Sequence, residues 1–283
     1  MKKIIAAAVA AAFVAPAFAA DVTISGDVEF VIENYKGDGT SGDQGDADIT
    51  VTATEEANGI AITAYIENEA GTQDAAVSFA GEFGTVKIGN DAFDAGTAVD
   101  EVADKAEFGL GASNMAMPST MDLNVMWTLP SIVDGLNVMV SQSYAEGTND
   151  TATTNENSAT AYGVQYSLGA IAVSYGVIND DSVTYEPAHT NISFTSGPIF
   201  VAAAQTENDG AVNTDSSSLS AVYNYGGGNL YAEQQTVDTN GTKASNTGVG
   251  VSYKIGGANV YVQSVSGDTE TENGSFVGVE YAF

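Results

Sequence analysis

Apolar and polar residues alternate along most of this chain, in short stretches bounded by glycine, asparagine, aspartate and proline. In the stretch VTISGDVEFVIE at 22–33, the even-numbered positions are apolar apart from Gly26. The odd-numbered positions carry Asp27, Glu29 and Glu33 among threonine, serine and valine. Successive side chains of a β-strand point to opposite faces, so this alternation predicts strands with one apolar and one polar face. The pattern favours an all-β fold.

We place sixteen such strands between 22–34 and 274–283, with fourteen as the alternative if two short stretches do not form strands. Tight glycine-rich links such as ANG at 57–59 and GEFG at 81–84 alternate with longer polar links. The longer ones include YKGDGTSGDQGD at 35–46, EGTNDTATTNEN at 146–157 and DTNGTK at 238–243, and AGT at 70–72 departs from the rule. Short turns at one end, long loops at the other and an even strand count are typical of a transmembrane antiparallel β-barrel.

Tyrosines near the predicted strand ends favour the barrel over a soluble β-sandwich, which would show the same alternation. Such tyrosines form aromatic girdles where a barrel meets the two membrane interfaces. The candidates are Tyr144, Tyr162, Tyr166, Tyr175, Tyr225, Tyr253 and Tyr281.

The first nineteen residues have the features of a secretory signal peptide. Lys2 and Lys3 precede an apolar stretch, and Ala17-Phe18-Ala19 forms a small-residue cleavage site. We therefore predict a signal peptide at 1–19, cleaved after Ala19, and one domain at 20–283. No later stretch approaches the ~18 apolar residues of a membrane helix, so a membrane location requires a barrel.

Composition excludes several classes of protein. The chain has no cysteine, so disulfides, thiol nucleophiles and cysteine metal sites are ruled out. Its seven basic residues are all lysines, against 37 acidic residues and a formal net charge of −30, which argues against nucleic-acid binding. The acidic run KGDGTSGDQGDAD at 36–48 lacks the spacing of a calcium hand, so we expect no dedicated metal site and no cofactor.

An enzyme is also not expected. His189 is the only histidine, and a hydrolase would need it beside a serine such as Ser193 with an orienting partner. A lone histidine at a strand start is more often a polar surface residue.

The chain ends in GSFVGVEYAF at 274–283, where Val277, Val279, Tyr281 and Phe283 share one face of a predicted strand. Together with the signal peptide, the strand rhythm and the stretch EFGTVKIGN at 82–90 before a long link, this ending resembles the general porins. Those are trimeric channels of the Gram-negative outer membrane. The resemblance implies a homotrimer in outer-membrane lipid, with these four residues read by the barrel assembly machinery. An ordinary edge strand is the alternative.

The resemblance also implies that the segment at 91–117 folds into the barrel as a constriction loop. A helical spacing of Val99, Val102, Ala103 and Ala106 lies within it. A solvated extracellular loop is the alternative. Folded inward, the segment would present six acidic residues near the narrowest point: Asp91, Asp94, Asp100, Glu101, Asp104 and Glu107.

The polar strand faces would line the channel. Strand parity assigns seven acids to the interior: Asp27, Glu29, Glu33, Asp48, Glu67, Asp122 and Glu280. The lysines expected there are Lys87, Lys254 and, from the loop, Lys105. Where the family often has a basic residue after GTVKIG, this chain has Asn90. We therefore expect a water-filled channel for passive diffusion of small hydrophilic solutes and ions, with a preference for cations. The alternative is a structural or adhesive surface protein anchored by its barrel.

Overall fold

The computed structural model describes residues 20–35, 39–69, 72–90, 123–144, 158–180, 187–208, 214–268 and 273–283. They form sixteen strands, which confirms the larger of the two predicted numbers. In chain order these are β1 (Asp21–Tyr35), β2 (Gly39–Ala57), β3 (Ile60–Glu69), β4 (Thr72–Gly81), β5 (Gly84–Gly89), β6 (Leu123–Thr128), β7 (Leu136–Tyr144), β8 (Ser158–Leu168), β9 (Ile171–Asp180), β10 (Ala188–Ser196), β11 (Ile199–Glu207), β12 (Thr214–Asn224), β13 (Asn229–Thr239), β14 (Thr242–Ile255), β15 (Ala258–Gly267) and β16 (Gly274–Ala282).

Each strand pairs antiparallel with its neighbours in sequence, and β16 pairs with β1, so the sheet closes into a barrel. Within the described ranges, no helix is long and apolar enough to cross a membrane. The predicted signal peptide at 1–19 and the predicted constriction loop at 91–117 lie outside the described residues.

Apolar side chains form the outer face of the barrel. On β1, Val22, Ile24 and Phe30 are 61%, 65% and 58% exposed, and the same outward face continues with Ile49 and Val51 on β2. Five of the predicted girdle tyrosines are exposed on this outer surface: Tyr162, Tyr175, Tyr225, Tyr253 and Tyr281. A surface this apolar is stable only against lipid or another apolar surface.

Two of the links predicted to be long are short. The DTNGTK link is a two-residue turn in which Asn240 and Gly241 have φ values of 52° and 84°, so β13 and β14 extend to Thr239 and Thr242. Asparagine followed by glycine adopts the left-handed backbone of a tight hairpin at little cost. At the β1–β2 link, polar glycine-rich residues from Gly39 onward pair with β1 because backbone hydrogen bonds alone can extend a ladder.

The last residue of the chain completes the closing ladder. The β1–β16 register runs from Tyr35 opposite Gly274 to Asp27 opposite Ala282. Beyond it, Gly26 donates to the Phe283 carbonyl at 3.1 Å, and Phe283 donates to the Gly26 carbonyl at 2.9 Å. The Phe283 ring lies over Gly26 on the outer face, where an added Cβ would be 3.0 Å from its Cζ.

We predict that deleting Phe283 or replacing it with aspartate impairs insertion into the outer membrane and leaves export unaffected. The deletion removes both final hydrogen bonds and the apolar ring at the point where the barrel closes. The amount of heat-modifiable protein in the outer-membrane fraction measures this effect. Phe83→Asp, in the exposed β4–β5 turn, is the control, and normal levels of the truncated chain would contradict the prediction.

Candidate functional site: the inner face of the barrel

The pairing register identifies the residues that face the interior. Directly opposed residues of an antiparallel pair project from the same face of the sheet. Starting from the polar face of β1, the register therefore identifies the inward side chains of each strand in turn around the whole barrel. This set contains the predicted site residues Asp27, Glu29, Glu280, Lys87 and Lys254.

Acidic residues concentrate on the inner face of β16 and β1–β4. We call this face the acidic wall, and the acids whose side chains are described in it are Asp27, Glu29, Asp48, Glu67, Asp74 and Glu280. All six side chains are half-buried. They stand as like-charged opposed pairs: Asp27 with Asp48, Glu29 with Glu280, and Glu67 with Asp74. Opposed like charges destabilise a sheet, so a fold that keeps such pairs accepts a local cost.

Two hydrogen bonds support carboxylates of this wall. The Thr50 hydroxyl donates to Oε1 of Glu67 at 3.1 Å, and the Tyr261 hydroxyl donates to Oε1 of Glu29 at 2.5 Å. Glu33 is opposite Phe276 in the register, but its side chain is outside the described part. Asp122 and the acids at 91–107 also lie outside the described residues.

Asp74 is a member of the acidic wall that the sequence analysis missed. It lies on the inner face of β4, whose outward residues are Ala75, Val77 and Phe79. The parity of β4 was the signal that could have identified it.

The two inner-face lysines stand far apart on the barrel. Lys87 on β5 lies beside the acidic wall, with its Nζ 5.1 Å from the centre of the Tyr65 ring, a cation–π distance. Lys254 on β14 is exposed and stands opposite Asn259, next to the short β14–β15 turn. These two residues do not form a basic cluster.

The opposite side of the barrel carries charged residues only near strand ends. We call the inner face of β6–β12 the neutral wall, and its side chains are mostly small or polar. Strands β6, β7, β8 and β10 contain no Asp, Glu, Lys or Arg. The charged residues of the other three are Asp180, Glu207 and Asp215, each within two residues of a strand end.

His189 belongs to this neutral wall. It is fully buried, and its Nδ1 lies 2.8 Å from the Thr206 hydroxyl. Ser193 is four positions further along the same strand, roughly 13 Å away at strand spacing, so it cannot serve as the serine of a Ser-His pair.

Comparison with known proteins identifies the barrel. The sequence profile described as Gram-negative porin matches residues 6–283. The chain belongs to the Gram-negative porin family. It is a transmembrane β-barrel channel of the outer membrane, and members of this family are channel proteins rather than enzymes. No curated protein sequence matches the chain significantly.

Solved porins share the fold at low sequence identity. The anion-selective porin from Comamonas acidovorans is 19% identical, with a TM-score of 0.73 over 93% of this chain and 100% of that one. The in-vitro folded outer membrane protein OmpT of Vibrio cholerae is 15% identical, with a TM-score of 0.70 over 95% and 99%. Salmonella typhi OmpF in complex with daunomycin is 14% identical, with a TM-score of 0.69 over 93% and 97%. These identities support the fold and not the selectivity.

Single cysteines would test the assignment of faces, because the chain has no cysteine of its own. Thr52 belongs to the inner set and its neighbour Val51 to the outer set. We expect Thr52→Cys in the porin to react readily with a hydrophilic thiol reagent and Val51→Cys to be protected by lipid. Mass spectrometry of whole cells gives the two rates, and equal labelling would contradict the assigned parity.

Proposed function

We propose that this porin is a water-filled channel for passive diffusion of small hydrophilic solutes and ions, and that it prefers cations. The observation that carries the proposal is the acidic wall facing a neutral wall. Six carboxylates line one side of the described interior, while the basic residues of that interior are Lys87 and Lys254.

Charge on the wall of a narrow aqueous path controls which ions accumulate in it. Fixed carboxylates raise the local concentration of cations and repel anions over about one Debye length, ~8 Å at physiological salt. A porin with the same fold is anion-selective, so the barrel alone does not set the sign. In this chain the described inner residues bias that sign toward cations.

We also propose that the segment at 91–117 folds inward as a constriction loop. Three inner side chains of the neutral wall are almost fully buried, Asn124 and His189 at 0% and Ala161 at 1% exposure. Side chains that faced only open water would be more exposed. We infer that another segment of the chain lies over this wall inside the barrel. The segment between β5 and β6 is the longest link and begins at the edge of this wall.

Export and assembly complete the proposal. The residues at 1–19 act as a signal peptide, and the chain assembles as a homotrimer in outer-membrane lipid. The barrel assembly machinery recognises Val277, Val279, Tyr281 and Phe283. The outward projection of Val277, Val279 and Tyr281 and the closing position of Phe283 support this role.

Reversal potentials across a planar bilayer with a KCl gradient test the cation preference. The sign should be cation-selective in dilute salt and fade near molar salt, where the Debye length is ~3 Å. The double variant Asp27→Asn, Asp48→Asn should lower the preference because it removes one opposed acidic pair. Glu55→Gln, on the outer face of β2, is the matched control. An anion-selective potential in dilute salt would refute the proposal.

Deletion of residues 98–107 tests the constriction loop separately. If the segment narrows the pore, the deletion should raise single-channel conductance and admit larger sugars in a liposome-swelling assay. A deletion of similar length within the β7–β8 link, at 147–155, controls for loss of loop mass. Unchanged conductance after removal of 98–107 would place the segment outside the pore.

A further inference from the structure

The contact between β1 and β16 differs from every other contact in the barrel. All other paired strands follow one another in the chain, whereas this seam joins the first strand to the last. Closing it brings together residues more than two hundred positions apart, which carries the largest loop-closure cost in the sheet. An interaction that crosses the seam therefore stabilises closure of the whole barrel, which a contact within one hairpin does not.

One side chain reaches across the whole closing strand. Tyr261 on β15 is directly opposite Gly278 on β16, and Gly278 is opposite Val31 on β1. The Tyr261 hydroxyl nevertheless donates to Oε1 of Glu29 on β1 at 2.5 Å. Two strand spacings separate β15 from β1, about 9.6 Å, so the bond passes over β16 on the inner face.

The glycine at 278 makes this crossing sterically feasible. A Cβ built on Gly278 would collide with the Tyr261 ring at Cζ and with its hydroxyl oxygen. The ring therefore occupies the space over the glycine backbone, and Tyr261 is 6% exposed. A glycine in the middle of a strand normally weakens it, and here the aromatic ring covers the gap.

We propose that Tyr261, Gly278 and Glu29 form a latch that holds the barrel seam closed. Glu29 stands opposite Glu280 across this seam, so the two carboxylates repel each other at the contact that must close last. A hydrogen bond from a hydroxyl to a carboxylate is among the stronger kinds in proteins. Through it, the latch ties β15 directly to β1.

A related arrangement lies two strands earlier in the sheet. Tyr231 on β13 is directly opposite Gly250 on β14, and its ring occupies the space that a Cβ at 250 would need. Tyr231 then packs with Val265 and Phe276, which belong to β15 and β16. Each tyrosine thus lies over a glycine of the next strand, Tyr231 over β14 and Tyr261 over β16. The hydroxyl of Tyr261 is the one that bonds to β1.

Heat modifiability of the purified full chain tests the latch. The closed barrel and the unfolded chain migrate separately on SDS gels, which gives a temperature of half conversion. Tyr261→Phe should lower that temperature by about 5 °C, because it removes one charge-assisted hydrogen bond and little apolar surface. Tyr253→Phe is the control, since this exposed outer tyrosine covers Gly227 in a similar way.

Variants of Glu29 separate the latch from the proposed cation preference. Glu29→Gln keeps an oxygen acceptor for the phenol, and it also removes the repulsion with Glu280, which offsets the loss of charge assistance. It should therefore retain the wild-type half-conversion temperature while reducing selectivity. Glu29→Asp keeps the charge but shortens the side chain, so it should lower the temperature as Tyr261→Phe does. In the double variant Tyr261→Phe, Glu29→Asp, the two shifts should not add, since both break the same bond.

Two results would overturn the latch. One is a half-conversion temperature for Tyr261→Phe and for Glu29→Asp equal to that of Tyr253→Phe. The other is full additivity in the double variant. Neither result would bear on the sign of the reversal potential, so the latch and the cation preference can fail independently.

Discussion

Closure of the hydrogen-bonded ladder is the constraint on which the rest of this structure depends. A backbone group without a partner is costly where no water can reach it, so a sheet surrounded by lipid cannot keep an open edge. The sixteen strands satisfy this condition through hairpins between neighbours and one long-range contact. In that contact, Gly26 and Phe283 form the last hydrogen-bonded pair. The apolar outer face and the polar inner face then follow from the alternation along each strand.

The sequence predicted local features well because their causes are local. Side-chain parity placed Val277, Val279 and Tyr281 on one face, and turn residues located most strand boundaries within a few positions. The prediction of a long link at 238–243 is wrong because the left-handed backbone preference of Asn240 and Gly241 outweighs the polarity of the residues around them. The extension of β2 to Gly39 was missed because its pairing with β1 depends on a partner strand, and composition does not reveal it.

Interactions between distant strands could not be predicted in this way. Asp74 could have been assigned by parity alone, but its position opposite Glu67 depends on the register of two strands. The hydrogen bond between Tyr261 and Glu29 joins residues at opposite ends of the chain, and it requires a glycine on the strand between them. Nothing in the neighbourhood of either residue indicates such a partner. The neutral wall also becomes visible only when the seven strands β6–β12 are viewed as one surface.

The pairing of β1 with the last strand stops at Gly26, five residues after β1 begins at Asp21. This offset has a practical consequence for anyone who labels or immobilises this protein. Because Phe283 pairs with Gly26, the β1 residues at 21–25 have their described partners on β2 alone. An affinity tag fused after Phe283 would begin beside these β1 residues and could continue the ladder along them. Such a fusion would lengthen the last strand beyond the Gly26–Phe283 pair. A tag in the link at 145–157 leaves both chain ends and the closing rung unchanged.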